Sequence, residues 1–335
     1  MAKARLSNKQ LQNIKKHRLK PAPGQSQTAK PLQLGLVLGH YGKRVDIEAE
    51  NGKKYPCQFR RHLKKAVAGD HVLWQKDKQT GEGIIAQILT RKNALQRPNK
   101  YSKQTKTIAA NIDQLIMMIA IEPAPIEHYI DRYLVIADSM KIPAMIVVNK
   151  IDLLEKSPHQ GQIRAIQTLY RKLGVPILMF SARKQVHLAK LRHVLAGKTS
   201  VLIGQSGVGK SATLNALFGK MITTTGAIST RNKRGKHTTT TATLHHLDRQ
   251  TQLIDSPGIR EFGIWHLSEG EIFAGFHEFT ALEKHCRFRN CRHLEDTPGC
   301  AIDEAVKNAK ISYQRFLNYH RLIREMETCT FNPHL

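Results

Sequence analysis

Apolar and polar positions fall into stretches of different rhythm along the chain. Between Leu34 and Leu89, the short runs Leu34–Leu38, Val45–Ala49, Lys54–Phe59, His71–Gln75 and Gly83–Leu89 alternate with turn signals at Asn51-Gly52, Gly69-Asp70 and Gly81. Five short strands punctuated in this way predict a small β-barrel, and the OB-fold is the commonest five-stranded kind. Around Arg91–Pro98 the character changes. Nearly continuous apolar runs, Gln114–Ile121, Ala144–Val148, Ile177–Phe180, Ser200–Ile203 and Gln252–Ile254, are now separated by helical patterns at Ile126–Met140, Gln162–Leu173, Val186–Leu195 and Lys210–Phe218. Strands apolar on both sides, alternating with helices, predict an α/β domain with a mostly parallel sheet covered on both faces. From about Ser268 the chain reads as helical and rich in His and Cys, ending in an amphipathic stretch (Tyr313, Phe316, Leu317, His320, Ile323). The expected organisation is a mobile basic arm over 1–31, a barrel domain over 32–95, an α/β domain over 96–267 and a separate helical domain, with the His and Cys cluster, over 268–335. No internal repeat is visible.

Charge adds a partner to this picture. The 335 residues carry 53 Lys and Arg against 26 Asp and Glu, a formal net charge of +27. Such an excess repels itself in a compact fold unless a polyanion neutralises it, which points to nucleic acid or an anionic membrane. The arm holds eight of these cations (Lys3, Arg5, Lys9, Lys15, Lys16, Arg18, Lys20, Lys30) and no acid. It reads either as a plain solvated terminus or as a polyanion-binding arm, and counterion release favours the second. Arg60, Arg61, Lys64 and Lys65 fall beside Phe59, with Tyr41, Tyr55 and Trp74 nearby. That mixture suits base stacking beside phosphate pairing, and the same aromatics also suit a barrel core. No apolar run approaches the ~20 residues of a membrane span, and Met-Ala-Lys-Ala-Arg lacks the apolar core of a secretory signal. A cytoplasmic protein with reduced thiols is expected, since five Cys in this length do not make a disulfide scaffold.

The chemistry begins at Gly204-Gln205-Ser206-Gly207-Val208-Gly209-Lys210-Ser211. This P-loop pattern follows an apolar strand and precedes a helix, the context it requires. Its glycines turn backbone N–H groups toward phosphates, Lys210 reaches the β- and γ-phosphates, and Ser211 ligates Mg²⁺. Asp255-Ser256-Pro257-Gly258 ends a later strand. There Asp255 suits a water-mediated hold on Mg²⁺, and the Gly258 N–H suits the γ-phosphate. Asn149-Lys150-Ile151-Asp152 ends another strand. An Asp152 carboxylate accepts two hydrogen bonds from guanine N1–H and N2–H₂, a pair that adenine lacks. Asn149 binds the base edge or ties the loop to the P-loop, the Lys150 stem covers the ring, and the Ser181-Ala182 N–H groups suit guanine O6. Each short motif alone is also a plausible turn. Together they fall at strand C-terminal ends, the edge where α/β sheets bind ligands.

These motifs resemble the Ras-like GTPase set in a different order. The base readers (149–152 and 181–182) precede the P-loop (204–211), and the Mg²⁺ loop (255–258) comes last, so the domain resembles a circularly permuted GTPase. Permutation also runs the Mg²⁺ loop directly into the C-terminal segment, which predicts that hydrolysis repositions that segment. Where Ras-like proteins carry a water-orienting Gln, this chain has Ile259, which cannot hydrogen bond. In Arg234-Gly235-Lys236-His237-Thr238-Thr239-Thr240-Thr241, Thr239 or Thr240 is positioned to close over Mg²⁺ and the γ-phosphate. His237 is a candidate for orienting or activating water near neutral pH. The competing reading of this stretch is a polar loop with an incidental His. Cys286, Cys291, His293 and Cys300 fall within fifteen residues, a ligand set for one structural Zn²⁺, with His285 as a substitute ligand and unrelated thiols as the alternative. Cys57 and Cys329 read as unpaired.

A basic arm, an OB-like barrel, a permuted GTPase with Arg-Gly-Lys-His-Thr-Thr-Thr and a Cys₃His segment together resemble the bacterial ribosome small-subunit-dependent GTPase A family (RsgA/YjeQ), over about residues 34–328. The resemblance implies GTP hydrolysis stimulated by the small ribosomal subunit, a role in its late maturation, and rRNA contacts by the barrel and zinc domains. It also implies a catalytic role for His237. One departure stands out: the family usually has one residue fewer between the zinc His and the last Cys, so the loop Leu294–Gly299 is longer here. The expected partners are the small subunit, its rRNA and GTP or GDP, with no membrane and a monomeric chain. The alternatives are a GTPase serving the large subunit or tRNA, and an RNA-binding scaffold with a vestigial nucleotide site. Intact Lys210, Ser211, Asp255 and Asp152 disfavour the scaffold.

Overall fold

The computed structural model describes residues 31–42, 44–59, 65–77, 81–99, 102–222, 242–255, 263–264 and 266–331. The basic arm up to residue 30, Arg60, Arg61, Lys64 and the threonine-rich stretch lie outside these residues. Five strands open the chain: β1 (Gln33–Tyr41), β2 (Arg44–Ala49), β3 (Lys54–Phe59), β4 (His71–Lys76) and β5 (Gly83–Ile88). They pair in the order β1-β2-β3-β5-β4, and β4 returns to β1, closing the barrel that the five alternating runs predict. Val37, Val45, Ile47, Cys57, Val72, Trp74 and Ile85 fill its interior. Trp74 is therefore core, with Tyr55 packed on it at 4.7 Å between ring centroids, and the stacking role is withdrawn from this pair. Tyr41 stays exposed. Cys57 is a buried free thiol, pushed up to about 12 by burial.

A hairpin that the hydrophobic pattern does not announce follows the barrel. Strands β6 (Ala94–Asn99) and β7 (Ser102–Ala110) pair antiparallel, so a boundary at 95/96 falls inside a strand. Its sequence, from Gln96 to Thr107, has few apolar residues and so lacks the alternation that marks a half-buried strand. The half-buried pair Arg91–Asp70 fixes its base: Arg91 Nε and Nη2 donate to the two Asp70 oxygens at 2.7 and 2.8 Å, and Asn111 Nδ2 donates to Gly69 O at 2.8 Å.

The second sheet contains β8 (Gln114–Ala120), β9 (Ala144–Asn149), β10 (Ile177–Met179), β11 (Thr199–Gly204), β12 (Thr243–His246) and β13 (Gln252–Asp255). The order is β10-β9-β8-β11-β13-β12, parallel except for β12. Alternation within the apolar runs splits two cores. Leu115, Met117 and Ile119 face one side, with Ile146 and Val201, while Ile116, Met118 and Ala120 face the other, with Val147 and Leu202. The first side is covered by α1 (Glu127–Ser139) and α2 (Gln160–Lys172), the second by α3 (Leu188–Leu195) and α4 (Lys210–Phe218). Each fully buried Ile, Leu or Val in these layers contributes about 1.5–3 kcal/mol of transfer free energy.

The C-terminal helices are α5 (Glu269–Ala274), α6 (His277–Thr280), α7 (Ala301–Lys307) and α8 (Tyr313–Phe331). A capping box starts α5, with Glu271 N donating to Ser268 Oγ while the Glu271 carboxylate accepts from Ser268 N. Phe276, Phe279, Phe316, Tyr319 and Leu322 join the same core as α1 and the sheet, so these helices are an extension of the α/β layer.

Candidate nucleotide site and metal centre

The nucleotide motifs meet at the C-terminal edge of the sheet. Gly204 ends β11 at φ 149°, and a Cβ there would lie 2.1 Å from Met118 O, so the strand can pass β8 only as glycine. Gly209, at φ 93°, caps α4, and its missing Cβ leaves room for Asn149 Nδ2, which would otherwise sit 2.3 Å away. Asn149 uses that room. Its Nδ2 donates to Val208 O at 2.9 Å, while its Oδ1 accepts from Lys150 N at 2.8 Å and Ala182 N at 3.1 Å. One buried amide thus joins the P-loop, the Asn-Lys-x-Asp loop and the Ser-Ala loop. Ser181 Oγ donates to Asp152 Oδ1 at 2.5 Å, fixing the carboxylate beside the Ser-Ala loop. Ile151 N donates to Phe180 O at 3.3 Å, which holds the turn that carries Asp152.

Lys210 opens α4, and its Nζ donates to Gly204 O at 2.7 Å and Gln205 O at 2.8 Å. The ammonium therefore lies over the loop whose N–H groups and helix dipole offer positive charge to an anion. Ser211 follows it on the first turn, and Val208 beneath is fully buried. Asp255 ends β13, two strands from β8. Burial pushes its carboxyl above the ordinary value, and the Lys210 charge pulls it back. A divalent cation beside Asp255 would favour the ionised form that burial disfavours. Ser256, Pro257, Gly258, His237, Thr239 and Thr240 lie outside the described residues.

Two contacts at this edge have no signature in the sequence. Lys150, left-handed at φ 61°, donates from Nζ to Glu122 O at 2.6 Å. Gln205 Oε1 accepts from Ile126 N at 3.3 Å, where α1 begins. Both use backbone groups of the β8–α1 connection, and a backbone carbonyl or N–H is the same for every residue type.

The cysteines gather at a second place. One ligand atom from each of Cys286, Cys291, His293 and Cys300 lies within 4.8 Å of the others. His293 Nδ1 is 3.6 Å from both Cys286 Sγ and Cys300 Sγ. A tetrahedral ion with zinc-like bonds to S and N sets such an edge at about 3.6 Å, so the donor set fits. Burial lowers the His293 pKa, which favours the neutral imidazole a metal requires. Phe273 stacks on the ring at 5.2 Å, and His320 Nε2 lies 2.8 Å from His293 O. Asp303 N donates to Cys300 Sγ at 3.4 Å, so the thiol also caps α7. His285 is exposed and outside this group.

Comparison with known proteins follows the same outline. Residues 88–265 match the RsgA GTPase family. The "Small ribosomal subunit biogenesis GTPase RsgA" of Actinobacillus pleuropneumoniae serotype 5b (strain L20) is 43% identical over 342 residues, covering 100% of this chain and 98% of its own. The chain belongs to the RsgA GTPase family. A protein of the same name from Histophilus somni (strain 2336) is 44% identical over 90% of this chain and 86% of its own. Among solved structures, YjeQ from Thermotoga maritima aligns with a TM-score of 0.68 at 31% identity, covering 88% of this chain and 98% of that one. YloQ, described as a circularly permuted GTPase, aligns with a TM-score of 0.66 at 24% identity, covering 91% and 98%, and supports the fold. Family membership makes this chain a GTP hydrolase. The order of the Asn-Lys-x-Asp loop, the P-loop and Asp255 along this chain is that of a circularly permuted GTPase fold.

Proposed function

We propose that the chain is a GTPase of small ribosomal subunit biogenesis, binding the maturing subunit and hydrolysing GTP late in its assembly. The observation that carries this reading is the Asn149 amide, which joins the base-reading loops to the P-loop in one pocket. The relatives are named for small-subunit biogenesis, and the chain covers nearly their whole length. Asn149, Lys150, Ile151, Asp152, Ser181 and Ala182 read guanine. Gly204 through Ser211 cradle the phosphates, and Ser211 and Asp255 hold the Mg²⁺ that arrives with GTP. Water attacks the γ-phosphorus, the bond to the β-phosphate oxygen breaks, and Lys210 with the α4 N-terminus stabilises the charge gathering on GDP. His237 orients that water, Thr239 or Thr240 closes over Mg²⁺, and Gly258 senses the γ-phosphate. These roles rest on sequence position.

Cys286, Cys291, His293 and Cys300 hold one Zn²⁺ with all four positions filled by protein, so the ion supplies cross-linking of the chain and no open site for chemistry. The barrel and this region contact rRNA, consistent with the net charge of +27. Among the described residues no helix is long and apolar enough to cross a membrane. We place the chain in the cytoplasm as a monomer. The test is GTP turnover by the full chain alone and with isolated small subunits, large subunits or tRNA. Stimulation by small subunits alone is expected. Stimulation by large subunits or tRNA in its place overturns the assignment.

A further inference from the structure

One row of residues crosses the sheet from the barrel to the nucleotide edge. Leu202 pairs with Asp255, Asp255 with Thr243, and Thr243 with Gly39 of the barrel. The seam between β1 and β12 is short, its register given by the single pair Gly39 and Thr243. One side-chain hydrogen bond crosses it, and one close approach joins β12 to β2 of the barrel. Tyr41 Oη and Thr243 Oγ1 share a hydrogen bond at 3.1 Å, and His246 Nε2 lies 3.2 Å from Glu48 Oε2 without hydrogen-bond alignment. Gly39 makes the first contact possible, because a Cβ there would lie 2.9 Å from the Tyr41 hydroxyl. The Tyr41 ring folds back over Gly39 while 40% of the residue remains exposed. Its neighbour His40 meets Phe59 edge-on and feels the charges of Lys65 and Lys106. Tyr41 therefore presents an exposed ring beside Arg44, its register partner on β2, and a hydroxyl bound to the strand beside Asp255.

We propose that Tyr41 is a positioning residue for GTP turnover: bound to Thr243, it holds β12 against the barrel and so fixes the β13 position opposite Thr243, which carries Asp255. Resting on the functional reading above, the same tie carries rRNA contact at the barrel tip to the Mg²⁺ position. A strand held on both sides keeps its terminal carboxylate in one place, and displacement of a ligand by a fraction of an ångström weakens a small, geometrically demanding ion such as Mg²⁺.

The test uses the full chain and the variants Tyr41→Phe, Thr243→Val, Thr243→Ser and Gly39→Ala. The measurement is GTP turnover against Mg²⁺ concentration at saturating GTP, with and without small subunits. Tyr41→Phe, Thr243→Val and Gly39→Ala are expected to need about threefold more Mg²⁺ for half-maximal turnover, and Thr243→Ser to match the wild type. With small subunits, the first three lose about fivefold in stimulated kcat, at an unchanged subunit concentration for half-maximal stimulation. An unaltered Mg²⁺ requirement in Tyr41→Phe overturns the tie to Asp255. Reduced subunit affinity at normal stimulated kcat also overturns it, making Tyr41 an RNA contact alone. A wild-type chain indifferent to small subunits would remove the functional reading, and the Mg²⁺ requirement would still judge the tie.

Discussion

At the scale of single residues, the proposed selectivity for guanine rests on one carboxylate. Asp152 receives the Ser181 hydroxyl on Oδ1, which orients the group without neutralising it. Replacing it by Asn puts an amide N–H₂ where the base offers N–H donors, leaving donors facing one another with no acceptor between them. Asp152→Asn is expected to lose GTP affinity by about 10²-fold or more, while gaining for xanthosine triphosphate, whose C2 carbonyl accepts the amide. Titrating both nucleotides against a fluorescent analogue checks this, and retained GTP affinity would remove Asp152 from base reading. The residue types of this pocket were legible because each has a chemical reason to stand where it does. The bonds that assemble it were legible only in part. Asn149 was open between reading the base and tying the loop, and the structure has it bonded to Val208 and Ala182.

At the scale of elements, α1 is the piece that joins the sheet to the C-terminal helices. Asp131 is fully buried on it and receives Tyr170 Oη at 2.5 Å, Arg315 Nη1 at 2.6 Å and Asn318 Nδ2 at 2.6 Å. Arg315 also donates to both Glu278 oxygens, at 2.7 and 2.9 Å, and lies over the Phe276 ring at 4.2 Å. Arg315→Met strands the Asp131 charge and is expected to cost about 3–5 kcal/mol in urea unfolding, with the added Asp131→Asn returning at least half. Simple additivity of the two changes would deny the coupling. Nearby His128, its pKa lowered to about 4 by burial and by Arg321 and Arg132, is neutral in the fold. Its folded pKa lies below the ordinary 6.5, so its contribution is complete above about 6.5 and is lost as pH falls toward 4. Because the ring is partly exposed, the loss is discounted to about 1 kcal/mol, and His128→Gln should flatten the decline in unfolding free energy, measured by urea titration across that window, by this amount. None of this junction was legible in the sequence. The helical stripe Tyr129, Ile130, Tyr133, Leu134 and Ala137 announced α1, yet Asp131 and Arg315 are 184 positions apart, and a buried ion pair leaves no periodic trace. The β6–β7 hairpin escaped for the opposite reason, being a regular element made of polar residues.

At the scale of the whole molecule, the division of cores decides what a metal can stabilise. The barrel closes around its own interior, Val37 through Ile85. Cys300 belongs instead to the large core that holds Met117 of β8, Tyr133 of α1 and Phe316 of α8. Structural zinc is worth about 10–16 kcal/mol in isolated finger peptides, comparable with the total stability of about 5–15 kcal/mol of an ordinary domain. Here the helices remain docked on α1 through apolar packing and the Asp131 network, so removal of the ion should loosen this region without dissolving it. Stripping the metal with a strong chelator is expected to raise amide exchange across 269–331 and along α1. Exchange in β2, β3 and β5 should stay at its original rate, because no residue of those strands shares that core. Cys291→Ser should reproduce the pattern without chelator, and zinc added back should restore protection only in the unaltered chain. Equal loosening of barrel and helices would mean that the ion supports the fold as one unit, contrary to the separation of cores. Unchanged exchange throughout would mean that the Cys₃His group holds no metal that matters to stability.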